Sequence, residues 1–353
     1  MRAPIAINGR FLTRPATGVD RFALELLRAW SPRYAVSGAT RVVLPANSQV
    51  SSVEGVALPF QKVGSLKGHA WEQMELPRHC REDLLLNLCN TGPVLHRSQL
   101  VVLHDAGVNA MRSSYKWTFR TWQTFLIGSL MRRANIVATV SKFSASELIR
   151  WFPGIGRSIE IIPESGEHIL DVPADHAILQ RLQLSDERFV LAVGSRSPNK
   201  NFSAIVSAAA LLADMNIKIV AVGGSNSRIF SGVELAAKNL ILAGYVTDGE
   251  LRSLYENAQC FVFPSFYEGF GLPPLEAMHC GCPTLVSNRS AMPEVCGEAS
   301  LYFEPDDPAD IARQLRRVLS SGTLRSEMRE AGFIRIKPFT WSRAADQLDS
   351  LLT

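Results

Sequence analysis

Short apolar runs alternate along this chain with longer segments whose apolar residues recur every three to four positions. The runs at 5–7, 41–44, 84–88, 100–103, 136–140 and 159–162 show little polar alternation, which predicts strands buried on both faces. The second half repeats the style at 189–193, 217–222, 240–243, 260–263 and 284–286. Helical spacing predicts helices over 20–30, 115–133, 144–151, 202–212, 248–257, 274–278 and 308–319. Such alternation predicts an α/β protein with parallel sheets covered by helices on both faces. The polar, irregular stretch 164–187 is the predicted boundary. It leaves domains of 1–170 and 171–339, each long enough for its own doubly wound, Rossmann-like sheet. Two such domains facing each other leave a cleft at the C-terminal ends of their strands, where open α/β sheets bind ligands.

Composition supports this division and narrows the partners. A chain of 353 residues exceeds one ordinary core, and 46% hydrophobic with 20% charged residues is globular rather than disordered. A net charge of +4 suits a small anionic substrate and is too mild to argue for nucleic acid. Of the cysteines Cys80, Cys89, Cys260, Cys280, Cys282 and Cys296, only Cys280 and Cys282 are close, and tighter than a usual metal pair. Reduced thiols are expected. The N-terminal apolar stretch is too short for a signal peptide, and no run approaches the roughly 20 residues of a membrane span. A cytoplasmic protein is expected, with peripheral attachment to the inner membrane face left open. That option comes from 115–133, where Trp117, Phe119, Trp122 and Phe125 stand among Lys116, Arg120, Arg132 and Arg133. The segment reads either as a basic amphipathic helix facing a membrane or as a core-packed helix with a charged outer face.

Candidate chemistry concentrates at 263–280. A buried strand ends at Phe263, a loop with Gly269 and Gly271 follows, and a helix opens at Pro273 or Pro274. Proline is tolerated in a first helical turn, where its missing N–H has no partner anyway. Glycines let backbone N–H groups approach an anion, and the helix N-terminus adds partial positive charge. This pattern is a diphosphate cradle. Glu268, in the loop, sits where a sugar attached to that diphosphate would lie. Glu276, expected in the first helical turn, could accept hydrogen bonds from two ribose hydroxyls. Each also has a plain alternative: a first-turn Glu stabilises the helix dipole unaided, and a loop Glu is often simply solvated.

Three further segments add candidates. In Val193-Gly194-Ser195-Arg196-Ser197-Pro198-Asn199-Lys200-Asn201 a strand ends, Asn201 can cap the next helix, and Lys200 can neutralise a diphosphate as a point charge. At Thr17-Gly18-Val19-Asp20-Arg21, Gly18 permits close backbone approach at another helix start, and Arg21 is either a ligand contact or an exposed helix charge. His104 directly follows the run 100–103, so it can reach a sugar or acceptor hydroxyl from a strand end or serve a structural role. Val222-Gly223-Gly224 lacks the full dinucleotide fingerprint.

The segment Ser265, Glu268, Gly269, Phe270, Gly271, Leu272, Pro273, Leu275, Glu276, Ala277 and Met278 resembles the retaining GT-B glycosyltransferases of family four, the glycosyl transferases group 1. Gly281-Cys282-Pro283 and Pro293-Glu294-Val295 continue the match. The resemblance implies a GT-B fold of two Rossmann-like domains, with a C-terminal helix at 340–353 packing back on the first. It implies that Glu276 holds the donor ribose and that Glu268 with the Gly269, Phe270 and Gly271 backbone faces the donor sugar. Amides near Gly271 and Leu272 would bind phosphate, and Gly244-Tyr245-Val246 would meet the nucleobase, with Arg228 also within reach of the nucleotide. Lys200 matches the family's Val-Gly-x-x-x-Pro-x-Lys-Asn pattern, whereas Ser195 stands where an Arg is common and Arg196 follows one step later. Ile162-Pro163-Glu164-Ser165-Gly166 also departs from the family's usual Pro-Asn-Gly turn.

The resulting expectation is a retaining, metal-independent glycosyltransferase without cofactor. Glu268, His104 and Lys200 are its candidate catalytic residues. Its donor contacts are Gly18, Arg196, Lys200, Val246, Glu268, Gly269, Phe270, Gly271, Leu272 and Glu276. Similarity to bacterial polysaccharide mannosyltransferases makes GDP-mannose the expected donor, with a UDP-sugar next, and a glycan or lipid-linked acceptor in cell-surface polysaccharide synthesis. A nucleotide-sugar epimerase of the same fold and a catalytically silent nucleotide-binding partner remain the alternatives.

Overall fold

The computed structural model describes residues 4–36, 38–156, 158–194, 197–223 and 239–352. They fall into two units, Met1–Glu164 with Trp341–Thr353, and Ser165–Thr340. The N-terminal unit carries β1 (Ile5–Asn8), β2 (Thr40–Pro45), β3 (Phe60–Val63), β4 (Leu84–Asn87), β5 (Gln99–Val102), β6 (Ile136–Thr139) and β7 (Glu160–Ile161). They form one parallel sheet in the order β3-β2-β1-β4-β5-β6-β7. The C-terminal unit carries β8 (Phe189–Val193), β9 (Lys218–Val222), β10 (Leu240–Gly244), β11 (Cys260–Phe263), β12 (Thr284–Ser287) and β13 (Ser300–Phe303). These are again parallel, in the order β10-β9-β8-β11-β12-β13. In each sheet the chain builds outward from a central strand to one edge, then returns to build the other side. The order therefore reverses between β1 and β4, and between β8 and β11.

Most of the apolar runs became strands buried on both faces, whereas those at β7 and β10 became half-buried edge strands. In the C-terminal unit Val190, Ala192, Val262 and Leu285 share a core with Ala204, Ile205 and Ala208 on one helix and Ile311, Leu315 and Val318 on another. The runs missed in the sequence are edge strands. Gln61 and Lys62 of β3 are exposed, and β13 is half-buried at Leu301 and Tyr302, so neither reads as an unbroken apolar run. Helix Gly322–Arg335 also escaped, since it buries only Met328 and Gly332 and carries no apolar stripe. The helical segment 68–79 is broken by a π-helical stretch, Trp71–Glu75, which disturbs the 3.6-residue period.

That π-helical stretch delivers Glu72, fully buried, to the reversal between β1 and β4. Asn8, ending β1, donates to Glu72 at 2.8 Å and to Asn87, ending β4, at 2.9 Å. Arg10 Nε donates at 3.0 Å, Thr91 Oγ1 at 2.5 Å, and His69 Nδ1 lies 3.2 Å away. Burial pushes the Glu72 carboxyl up. The bond from His69, the charge of Arg10 and the bonds from Thr91 and Asn8 outweigh it and hold the group below its ordinary value.

The last helix, Trp341–Leu351, belongs to the N-terminal unit. Its Asp349 accepts hydrogen bonds from Trp30 Nε1 at 2.7 Å, Tyr34 Oη at 2.9 Å and Arg33 at 2.6 Å. Trp30 is fully buried at the end of helix Gly18–Trp30. Helix Trp117–Arg133 is core-packed over only part of its length. Leu126, Ile127, Leu130 and Met131 in its second half are buried, whereas the first half is exposed around most of its circumference.

Two outcomes follow from this packing. Asp349→Ala strands the buried Trp30 N–H and is expected to lower the stability of the N-terminal unit by about 1–3 kcal/mol, read by urea denaturation. A carboxylate whose folded pKa is lowered stabilises above its unfolded value and loses that contribution as pH falls through the folded value. The contribution of Glu72 is therefore complete above its ordinary value of 4.5 and is lost progressively as pH falls from there through the lowered folded value. Glu72→Gln should cost stability at neutral pH and flatten the loss on acidification; an unchanged acid slope would contradict this account.

Candidate functional site

The reversal between β8 and β11 sets the loops that follow them side by side. Hydrogen bonds stitch the two loops together: Phe266 N donates to Asn199 O at 2.7 Å, and Asn199 Nδ2 donates to Tyr267 O at 3.2 Å. Asn201 adopts a left-handed backbone at the start of helix Phe202–Leu211 but makes no side-chain cap. Its amide instead donates to Pro264 O at 3.2 Å and Pro305 O at 2.7 Å, correcting the capping role read from the sequence.

Lys200 and Glu268 meet across this seam. Lys200 Nζ donates to both carboxylate oxygens, at 2.6 and 2.8 Å, and lies 5.4 Å from the Phe263 ring centroid. Ser290, after β12, receives the Glu268 N–H at 3.1 Å. The pair is mostly buried, so each charge is held in place rather than swept through solvent. Helix Leu272–His279 starts immediately beyond. The backbone N–H groups of Phe270, Gly271 and Leu272 have no hydrogen-bond partner among the described residues, although all three residues are buried. Buried amides are almost always paired, so three in succession form a concavity suited to an anion. Pro273 and Pro274 carry no N–H, which leaves the loop amides as the main donors. Gly271 is required by this geometry: its φ is +105°, and an added Cβ would lie 2.3 Å from Met292 Cε.

Glu276 lies one turn deeper than the sequence suggested. The helix begins at Leu272, so Glu276 is its fifth residue and not part of the first turn. Its carboxylate is held by His168 Nε2 at 3.1 Å on Oε1 and by Tyr255 Oη at 3.0 Å on Oε2. Burial and the charge of Glu276 push the Tyr255 phenol well up, so it remains a hydrogen-bond donor. His168 arrives on the 3₁₀ turn Glu167–Asp171, which packs against the helix backbone. A Cβ at Gly166 would stand 2.5 Å from Glu276 N, so glycine permits this approach. Sequence reasoning missed His168, Tyr255, Asn199 and Ser290. The distances from Glu276 of 108 residues to His168 and 21 to Tyr255 leave no local motif. Only Gly166, in the departure from the family's turn, offered a signal.

The remaining candidates stand elsewhere. Val246 is buried after the exposed Tyr245, in the turn beyond β10, two strands from β8. Gly18 opens helix Gly18–Trp30 of the N-terminal unit, with open space where a side chain would be. Arg21 lies 3.6 Å from Glu25 one turn on. His104 is buried in that unit, one residue beyond the Leu103 that extends β5. Its Nδ1 is 3.2 Å from Glu164 Oε1, its Nε2 is 3.0 Å from Leu88 O, and its ring meets Phe22 edge-on. Arg196 and Arg228 lie outside the described residues. Among the described residues no three His, Cys, Asp or Glu side chains gather as a metal-binding group. All six cysteines are free; burial pushes the Cys280 thiol up to about 12, which keeps it protonated and poorly nucleophilic.

Gly271→Ala tests the cradle. The clash and the left-handed backbone are expected to cost about 1–3 kcal/mol of stability and to abolish phosphate-dependent stabilisation of the C-terminal unit in thermal shift. Adding Met292→Ala should recover only the part due to the clash.

Residues 176–335 match the family described as glycosyl transferases group 1. The chain is similar to O-antigen chain mannosyltransferase B of Escherichia coli, 34% identical over 225 residues, spanning 61% of this chain and 59% of that protein. The curated relatives it matches are thus covered over about three fifths of their length or less. Among solved structures, sucrose-phosphate synthase of Thermosynechococcus elongatus superposes with a TM-score of 0.76 at 19% identity, over 99% of this chain and 98% of that one. Anabaena Alr3699/HepE in complex with UDP and glucose gives 0.74 at 14% identity, over 99% of both chains. The fold of both units is that of the GT-B glycosyltransferases, a parallel Rossmann-like sheet in each.

Proposed function

We propose, from the premise that residues 176–335 form a domain of the glycosyl transferases group 1, that this protein transfers a sugar from a nucleoside diphosphate sugar to an acceptor hydroxyl. The observation that carries the proposal is the row of amides at Phe270, Gly271 and Leu272, without acceptors among the described residues, beside Lys200. In the reaction the bond between the anomeric carbon and the diphosphate oxygen breaks, a bond to the acceptor oxygen forms, and the proton of the acceptor hydroxyl leaves with the nucleoside diphosphate or to solvent. Negative charge grows on the departing diphosphate. Amides already fixed in position, with Lys200, stabilise that charge without reorganising, which is the most effective form of electrostatic catalysis. Glu268 holds Lys200 at the seam and faces the space expected for the donor sugar. Glu276, braced by His168 and Tyr255, offers its carboxylate to the ribose hydroxyls.

The finer reading is mannosyl transfer from GDP-mannose with retention of configuration, to a glycan or lipid-linked acceptor of a cell-surface polysaccharide. Support comes from the O-antigen mannosyltransferase of Escherichia coli. A UDP-sugar is the second choice, supported by the solved neighbour that holds UDP and glucose. His104, by its strand-end position, and Gly18, at a helix start, are proposed to serve the sugar and phosphate from the N-terminal unit. We include metal independence in the proposal, since Lys200 and the amides can neutralise the leaving group.

In a thermal-shift comparison of GDP, UDP, dTDP and ADP, GDP is expected to raise the melting temperature most, because a ligand at 100 times its Kd adds about 2.7 kcal/mol to the native state. A preference for UDP would overturn the mannose reading. Glu276→Ala should weaken donor binding at least tenfold in calorimetry; unchanged affinity would remove Glu276 from the ribose. Turnover of GDP-mannose should require acceptor and survive chelator. Release of free or epimerised sugar without acceptor would favour the epimerase, and loss of activity in chelator would refute metal independence.

A further inference from the structure

We propose that His69 of the N-terminal unit, held by Glu72, takes the hydroxyl of a carbohydrate acceptor, with Trp122 as the wall on which the acceptor sugar packs; this rests on the transferase reading above. The helical segment that opens at Gly68 follows β3, so His69 stands on the edge where the strands of this sheet end. Asn8 and Asn87, which end β1 and β4, tie the same side chains to the reversal of strand order.

Glu72 itself is saturated. An ionised carboxylate offers about four lone-pair directions, two on each oxygen. Oε1 accepts from Asn8 Nδ2 at 2.8 Å and Arg10 Nε at 3.0 Å. Oε2 accepts from Thr91 Oγ1 at 2.5 Å and from His69 Nδ1 at 3.2 Å. With its side chain fully buried and these places filled, Glu72 acts on a ligand through His69. A carboxylate that only accepts fixes the imidazole with its proton on Nδ1, which leaves the lone pair of the neutral ring on Nε2. Nε2 has no hydrogen-bond partner among the described residues, and the His69 side chain is 41% exposed. His104 is placed differently, since Glu164 and Leu88 O occupy both of its nitrogens.

The neighbouring rings select a sugar. His69 and Trp122 stand 5.7 Å apart at 75°, forming a corner with one polar and one apolar wall. Phe125, 6.1 Å from Trp122, extends the apolar wall, and both aromatics are open to solvent. A pyranose pairs hydroxyls with a C–H face in the same way, and C–H groups pack on the negative face of an aromatic ring. Among the described residues, Glu72 and, behind it, Arg10 are the charged groups paired at this ring, and their charges offset, which suits a neutral ligand. As the acceptor oxygen bonds to the anomeric carbon, its proton passes to the Nε2 lone pair. The imidazolium so formed is paired with Glu72 and returns the proton to solvent, so no further reactant is required.

The test uses the full chain with p-nitrophenyl α-mannoside as acceptor probe. Histidine nitrogen NMR should show His69 as the Nδ1–H tautomer, and adding the probe should move its Nε2 signal and the Trp122 indole signal. His69→Phe and Trp122→Ala should each weaken probe binding about fivefold while leaving nucleotide-induced thermal shifts intact. His69→Gln keeps an accepting oxygen but takes up no proton. It should hold KM for the probe within about threefold, lower kcat at least about a hundredfold and abolish the fall in rate on the acid side. An Nε2–H tautomer, a probe that leaves the His69 and Trp122 signals unmoved, or a wild-type kcat and acid limb in His69→Gln would each overturn the proposal. Thermal shifts with nucleotide that persist in those cases leave the transferase reading standing; an intact chain that no nucleotide stabilises would defeat that reading instead.

Discussion

Both sheets are wholly parallel, and in each the strand order reverses once. Parallel strands place all their C-terminal ends on one edge. Crossover helices carry the chain away from that edge everywhere except at the reversal, where neighbouring loops diverge and leave a crevice. Two dense polar clusters of the protein sit at these two points. In the C-terminal unit it is the seam of Lys200 and Glu268. In the N-terminal unit it is the network of Asn8, Glu72 and Asn87.

The two crevices differ in how their polar groups are satisfied. Around Glu72 the carboxylate is filled by side chains from three segments, so a buried charge is made tolerable by complete hydrogen bonding. At the C-terminal reversal Lys200, Glu268 and Asn201 are likewise paired, but the N–H groups of Phe270, Gly271 and Leu272 find no acceptor among the described residues. Side-chain order there is set in advance by Asn199, Asn201 and Ser290. The loop amides are held open by a left-handed glycine against Met292. Pre-positioned donors with no partner among the described residues are what distinguish a binding crevice from a merely well-packed one. Glu276 combines both features, being braced by His168 and Tyr255 while standing on the helix that follows the crevice.

Much of this was legible in the residues. Buried parallel strands are covered on both faces, so they appear as unbroken apolar runs, and the central strands of both sheets were readable for that reason. The edge strands β3 and β13 and the helix Gly322–Arg335 were not, because each buries too little to impose a period. Lys200, Glu268 and the Gly269-Phe270-Gly271 loop were readable because the loop chemistry is local: strand end, glycines and helix start follow one another within a dozen residues.

By itself the sequence determined the α/β class, the two-unit organisation around two parallel sheets and the glycine-bearing loop between β11 and the helix after it, since each depends on neighbours along the chain. The tertiary structure decided what depends on distant partners. It set Glu276 in the second turn between His168 and Tyr255, turned Asn201 from a helix cap into a tie between loops, and engaged both nitrogens of His104. It also split helix Trp117–Arg133 into a buried half and an exposed one. The physical reason is the same each time: periodicity reports which residues are apolar, but only the packing of remote segments decides which polar groups are already paired and which apolar ones are left in water.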